Sequence, residues 1–309
     1  MSGDALLIIG DVVTDVVALH GSPVLAGEDT AAEIVLRPGG SGANTAAWAA
    51  CLGAEVHLLA KLGYDSSEWH ATELINTGVQ PHFSVDPDHP TAVVIAMVDK
   101  SGERSMLTNR GAGDLISEDD WDPALLDGVG RLHLSGYVLF AEPGLRLAAR
   151  AMADAVAAGI TVSVDPASTG PLRDFGVERF MQATAAAELI LPNLDEALLL
   201  TGVTSAERAA VLLSERYGTA VVKLGAEGAL AARDGEVVAT AEGRSAEVVD
   251  STGAGDAFAA GFIAATLRGA GTRAALEVGC RAGAACVAQV GGRPRYGLDL
   301  NRLYPIHTD

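Results

Sequence analysis

Residues 250–262 read DSTGAGDAFAAGF, from Asp250 to Phe262. Small residues around Gly253 and Gly255 lead to a carboxylate, Asp256, and then to an apolar helical run. A backbone this bare brings several N–H groups close to an anion. The helix that follows aims the positive end of its dipole at the same spot. An anion cradle with a carboxylate at its edge fits phosphate being moved, with a base to activate the acceptor.

The chain has 309 residues, the size of one large α/β domain. Hydrophobic residues make up 49%, enough for a buried core and unlike a disordered chain. The formal net charge of −19 disfavours nucleic acid and anionic membrane as partners. A small anionic substrate stays open, because local N–H groups and arginines override the mean field. Cys51, Cys280 and Cys286 form no CxxC pair and no Cys/His cluster. That argues against a disulfide framework and a structural zinc site and fits a cytoplasmic protein. The start, MSGDALLIIGDVV, has no basic segment and too short an apolar run for a signal peptide. No uncharged window of about 18 apolar residues is present to span a membrane.

Ala5 to Val12 reads as a central strand ending in Gly10-Asp11. If it continues, Asp11 and Asp15 share one face. They are then either turn residues or acceptors of ligand hydroxyls, at the strand ends where open α/β sheets bind ligands. In GGSGANTAAWAACLGA, from Gly39 to Ala54, paired glycines let the backbone approach something closely, and residues 44–52 form a helix ended by Gly53. Asn44 is either its cap or, with a donor and an acceptor, a partner for a polyol hydroxyl. A strand at 56–62 and a helix at about 67–76 follow. The runs at 91–99 and 105–109 form a β-hairpin. Together with pieces at 16–36, that hairpin makes a small sheet, a lid over about 14–36 and 91–109. Arg110, next in line, is a phosphate contact or a solvated loop residue.

From Arg131 onward, strands at 132–137, 160–164, 189–191 and 219–224 alternate with helices at 143–158, 194–201 and 206–217. That alternation implies right-handed crossovers and a parallel sheet with helices on both faces. Asp234-Gly235 marks an antiparallel hairpin at the edge, and two helices close the chain at about 254–268 and 273–288. Asn193 and Glu196 open a helix as a capping-box-like pair. Glu196 is also suited to hold hydrated Mg2+, which favours one or two carboxylates with water and phosphate oxygens. Lys223, at a strand end, is a phosphate contact or a surface lysine.

In order and spacing, these motifs resemble the ribokinase, or PfkB-type, carbohydrate kinase family. DSTGAGD resembles the family's D-T-x-G-A-G-D, Gly39 or Gly40 through Asn44 its Gly-Gly-x-x-x-Asn segment, and Asn193 with Glu196 its N-x-x-E motif. The resemblance covers essentially the whole chain. It implies a single domain with a ribokinase-like three-layer α/β/α sandwich, a mostly parallel central sheet and a small β-sheet lid. It also implies ATP-dependent phosphorylation of a hydroxymethyl group. Asp256 would then be the base, and the N–H groups of Gly253, Ala254 and Gly255 the anion hole. Asp11, Asp15, Gly40 and Asn44 would serve the acceptor. Asn193, Lys223, Gly225 and Gly228 would line the ATP site, with Glu196 holding Mg2+ through water. Asp250, Thr252, Cys286, Gln289 and Gly291 match positions around a monovalent cation, K+, in many relatives. Arg295 departs from the small hydroxyl residue found there, and Val13 from the Asn preferred by ribokinases proper. Phe140 either packs on a nucleobase or fills the core, so the acceptor need not be ribose.

The expected activity is that of an ATP-dependent sugar kinase, ribokinase- or fructokinase-like. A nucleoside kinase of the adenosine, inosine or pseudouridine type is the alternative. Asp256 and the intact Gly-Ala-Gly argue against a non-catalytic sugar-binding protein. A dinucleotide oxidoreductase needs G-x-G-x-x-G where Gly10 stands alone, and no G-x-x-x-x-G-K-[ST] of a Walker-type NTPase occurs. A homodimer through the small sheet is expected, because exposed sheets tend to be covered.

Overall fold

The computed structural model describes residues 3–99 and 104–295, with the Arg104 side chain left aside. The turn of the hairpin expected around 100–104 therefore falls largely outside the described residues.

Strand β1 (Ala5–Ile9) is buried at every position. Leu6 and Ile8 enter one hydrophobic cluster, and Leu7 and Ile9 the other. A strand covered on both faces has no polar side to alternate with, so it reads as an unbroken apolar run. The chain then leaves for a second sheet through β2 (Val13–His20) and β3 (Ala32–Gly39). Helix α1 (Ser41–Cys51) leads back to β4 (Val56–Gly63), α2 (Ser67–Ile75) and β5 (Val79–Asp86). Strands β6 (Ala92–Val98) and β7 (Arg104–Asn109) return to the second sheet. The remaining strands are β8 (Val129–Ser135), β9 (Thr161–Asp165), β10 (Leu189–Ile190), β11 (Thr219–Lys223), β12 (Gly228–Arg233) and β13 (Glu236–Glu242). Between them run α3 (Glu142–Ala157), α4 (Thr169–Phe175), α5 (Val177–Ala183), α6 (Leu194–Thr201) and α7 (Ala206–Tyr217), and the described chain closes with α8 (Ala254–Leu267) and α9 (Thr272–Val287).

The large sheet has nine strands in the order β13-β12-β11-β10-β9-β8-β1-β4-β5. From β11 through to β5 all neighbours are parallel. The β12–β13 hairpin is antiparallel, turned by Asp234 and Gly235 at positive φ. Helices cover both faces, giving the three-layer sandwich expected. Helix α8 is buried from Ala257 to Ala265, which accounts for its small residues. The small sheet runs β3-β2-β6-β7, with β2 and β6 parallel. Among the described residues no single helix is long and apolar enough to cross a membrane.

Asp11 and Asp15 do not continue one strand, contrary to the sequence expectation. β1 stops at Ile9, and Asp15 belongs to β2 of the other sheet. Gly10 packs on Gly42, where an added Cβ would lie 2.6 Å from its Cα, and the chain changes direction there. Strand β8 ends at Ser135 and gives way to a 3-10 turn over Gly136–Phe140. Strand β5 and helices α4 and α5 occupy stretches whose periodicity is too weak to announce them.

Candidate active site

The candidate site lies where the order of strands reverses in the large sheet. β1 there has β4 on one side and β8 on the other, and the loops after the parallel strands converge. Asp256 sits in the first turn of α8, next to the cradle. Gly253 precedes the helix in the left-handed region, at φ 75°, and a Cβ on it would lie 2.5 Å from Gly292 Cα. Only glycine meets both demands. One Asp256 oxygen accepts from Ser41 Oγ at 2.8 Å, the other from Asn44 Nδ2 at 2.9 Å. Burial pushes Asp256 up to about 7, against the lowering effect of its Asn44 bond, and Asp165 pushes the same way as burial. Asn44, expected at an acceptor hydroxyl, thus spends its amide N–H on Asp256, while its buried Oδ1 has no hydrogen bond among the described residues. Ser41 was missed by sequence reasoning, although it lies inside the glycine-rich segment.

On one side of Asp256, the ends of β9 and β11 and the start of α6 bring together Asp165, Lys223 and Glu196. Lys223 is no surface lysine: it is 9% exposed, and its Nζ donates to Asp165 Oδ2 at 2.6 Å. Burial pulls its pKa down, but Asp165 and Glu196 outweigh that and hold it raised. The capping box is present: Glu196 N–H donates to Asn193 Oδ1 at 2.9 Å, and Asn193 N–H to Glu196 Oε2 at 2.9 Å. Asn193 Nδ2 adds a bond of 2.7 Å to Oε1. Glu196 is 1% exposed, and burial, with Asp165 next, raises its pKa. Gly225 and Gly228 flank a short 3-10 turn after β11, both at positive φ.

On the other side, Asp11 is committed to the protein itself. Its carboxylate accepts from Ser41 N–H and Gly42 N–H, both at 3.1 Å, and from Ser135 Oγ at 3.2 Å. It thereby caps α1 from a distance. Asp15 rests against Gly39, where any Cβ would overlap its carboxylate. Burial and then Asp11 raise Asp15 to about 6, with Arg293 opposing. Arg293 is 9% exposed and donates from Nη2 to Gly39 O at 3.1 Å, while its Nε and Nη1 make no hydrogen bond among the described residues. Gly40 lies between, at φ 96°. Arg110 is half-buried, and its guanidinium stacks 4.3 Å from the Tyr137 ring centre. Phe140 meets Tyr137 edge-on and Phe175 at a tilt, so it packs against the core.

The expected cation loops are tied together by the chain's own donors. Asp250 accepts from Thr252 N–H and Gly291 N–H, each at 2.9 Å. The Cys286 thiol points at Thr252 O (3.3 Å) and Gly292 O (3.7 Å), and the Trp48 indole donates to Gly292 O at 2.8 Å. Gln289 donates its amide to Arg293 O at 2.5 Å.

The pfkB family carbohydrate kinase profile matches residues 4–295, and the chain belongs to that family. It is 34% identical over 234 residues to the fructokinase of Escherichia coli, covering 73% of this chain and 76% of that one. It is 32% identical to the ATP-dependent ribose-1-phosphate kinase of Halopiger xanaduensis, covering 82% of each. The crystal structure of adenosine kinase from Sinorhizobium meliloti superposes with a TM-score of 0.86 at 25% identity, over 95% of this chain and 96% of that one. The protein is a carbohydrate or nucleoside kinase of this family, a phosphotransferase acting on an alcohol group.

Proposed function

We propose that the protein uses ATP to phosphorylate a hydroxymethyl group of a sugar, with Asp256 taking the hydroxyl proton. The observation that carries this is the placement of Asp256. It stands beside the cradle at the positive end of α8, fixed by Ser41 and Asn44, with a pKa near 7 that suits a base at neutral pH. The N–H groups of Gly253, Ala254 and Gly255 receive the phosphoryl oxygens, where fixed donors act most strongly. Asp15, the Gly40 backbone and Asn44 orient the acceptor, and Asn193, Gly225 and Gly228 line the nucleotide. Asp165, Glu196 and Asp256 together outweigh Lys223, leaving negative charge for a hydrated Mg2+ to offset. Glu196 would hold that ion through water, and the ion would neutralise phosphate charge. A K+ ion would be held by the loops of Asp250, Thr252, Cys286, Gln289 and Gly291, which Asp250 ties together through the Thr252 and Gly291 N–H groups, and a rate that rises with potassium is the expected outcome.

The small sheet serves as a lid carrying Asp15. One of its faces presents Ile34, Leu36 and Leu107, which are 64%, 60% and 59% exposed, and a second copy of the chain is the occupant we assign to it. Light scattering on Leu36→Glu checks this: a wild type that is already monomeric rejects the dimer. A nucleoside is the second reading, favoured by the Tyr137 ring, which lies within reach of the Asp11 and Asp256 charges, and by the adenosine kinase likeness. The deciding experiment measures ATP consumption with ribose, fructose, adenosine, inosine and pseudouridine, with and without potassium. Binding of these compounds without turnover of any would overturn the kinase assignment to sugars and nucleosides alike.

A further inference from the structure

We propose that Lys223 is a positioning residue for phosphoryl transfer, its ammonium a fixed positive charge beneath the anion cradle rather than a ligand of the nucleotide. The inference rests on the kinase reading above. Its first support is location: the side chain passes under Gly255, where an added Cβ would lie 3.4 Å from Nζ, 3.9 Å from Cε and 4.0 Å from Cδ. Its second is anchorage. Nζ is bonded to Asp165 Oδ2 at 2.6 Å, and Asp165 is in turn fixed by the Ala167 N–H at 3.0 Å. Its third is seclusion, since Lys223 is 9% exposed and Asp165 6%. An ammonium that swung out to a nucleotide would leave Asp165 buried without its partner, which is strongly unfavourable.

A charge already in place needs no reorganisation when negative charge builds on the group in transit. Under Gly255 it acts in the same direction as the dipole of α8, on the same oxygens. Asp165, Glu196 and Asp256 are the charged groups that face the ammonium. Lys223 therefore works through the Gly255 backbone and through Asp256, without touching substrate.

The test compares Lys223→Met, Lys223→Arg and the double variant Lys223→Met/Asp165→Asn, using the acceptor found above. Lys223→Met is expected to lower kcat by about thirtyfold or more, with KM for ATP and for the acceptor little changed. Lys223→Arg restores part of the loss. The double variant removes the stranded carboxylate, so it regains thermal stability without regaining kcat. Should Lys223→Met fail to fold, the kcat of the double variant alone decides. A double variant with wild-type kcat makes the pair purely structural and overturns the proposal. An intact kcat with a raised KM for ATP alone makes Lys223 a nucleotide ligand and overturns it too. Asp256→Asn, measured alongside, separates the readings: wild-type activity there removes the kinase mechanism itself, whatever Lys223 does.

Discussion

The two ends of the site are built differently. The proposed phosphoryl end lies on the large sheet and two of its helices: Asp165 closes β9, Lys223 closes β11, and Glu196 and Asp256 lie in the first turns of α6 and α8. Its polar groups are paired with one another at 2.6–2.9 Å. The proposed acceptor end crosses from one sheet to the other. Asp15 sits on the small sheet, Arg293 reaches it from the loop after α9, and two guanidinium nitrogens of Arg293 carry no hydrogen bond among the described residues. The contrast teaches which end is preorganised for one chemistry and which is left to adapt. Electrostatic catalysis needs donors fixed before the reaction. Choice of acceptor needs groups that complete their bonds only when the right molecule arrives.

The largest effect is expected at the fixed end. Asp256→Asn should cut kcat by about 10²–10⁴-fold with little change in either KM, as for loss of a general base. In the wild type, a base with a pKa near 7 must be ionised to work, so kcat/KM for the acceptor should fall as pH drops below about 7. Ser41→Ala removes a donor that favours the charged form, so this acidic limb should move to higher pH; a limb that stays put or moves down would exclude Asp256 as the titrating group. At the adaptable end, Asp15→Asn should raise KM for the acceptor by about tenfold or more and leave KM for ATP unchanged. Equal effects on both would erase the division between the ends. The smallest effect tests strain at the fixed end. Ala167 has φ 75°, a left-handed conformation that costs a non-glycine residue about 1–2 kcal/mol. Ala167→Gly should therefore stabilise the protein by about 0.5–1 kcal/mol, the relief being partly offset by unfolded-state entropy, as denaturant unfolding would read.

The local elements of the fixed end were legible in the chain itself. DSTGAGD announces cradle and carboxylate because close backbone approach needs glycine, and Asn193 with Glu196 announces a capping box because that motif spans only four residues. Asp234-Gly235 marks its hairpin for the same reason of local chemistry. Strand burial in β1 could be read from an uninterrupted apolar run. The weakly periodic β5, α4 and α5 could not, since their form depends on the neighbours they pack against.

What the sequence by itself determined was therefore the α/β alternation, the parallel sheet with its antiparallel edge, and the glycine-rich turn that leads into α8. Each depends on patterns within a few residues or on short-range periodicity. The tertiary structure alone decided what each charge faces. It turned Asp11 inward to the amides of α1, set Ser41 and Asn44 on Asp256 across more than two hundred residues of chain, and bonded Lys223 to Asp165. It also placed Asp15 on the small sheet, left Asp11 in the connector after β1, and brought Arg293 to Asp15. The energy of a charge depends on its neighbours in space and on the water excluded around it, and neither is written in the spacing of residues along the chain.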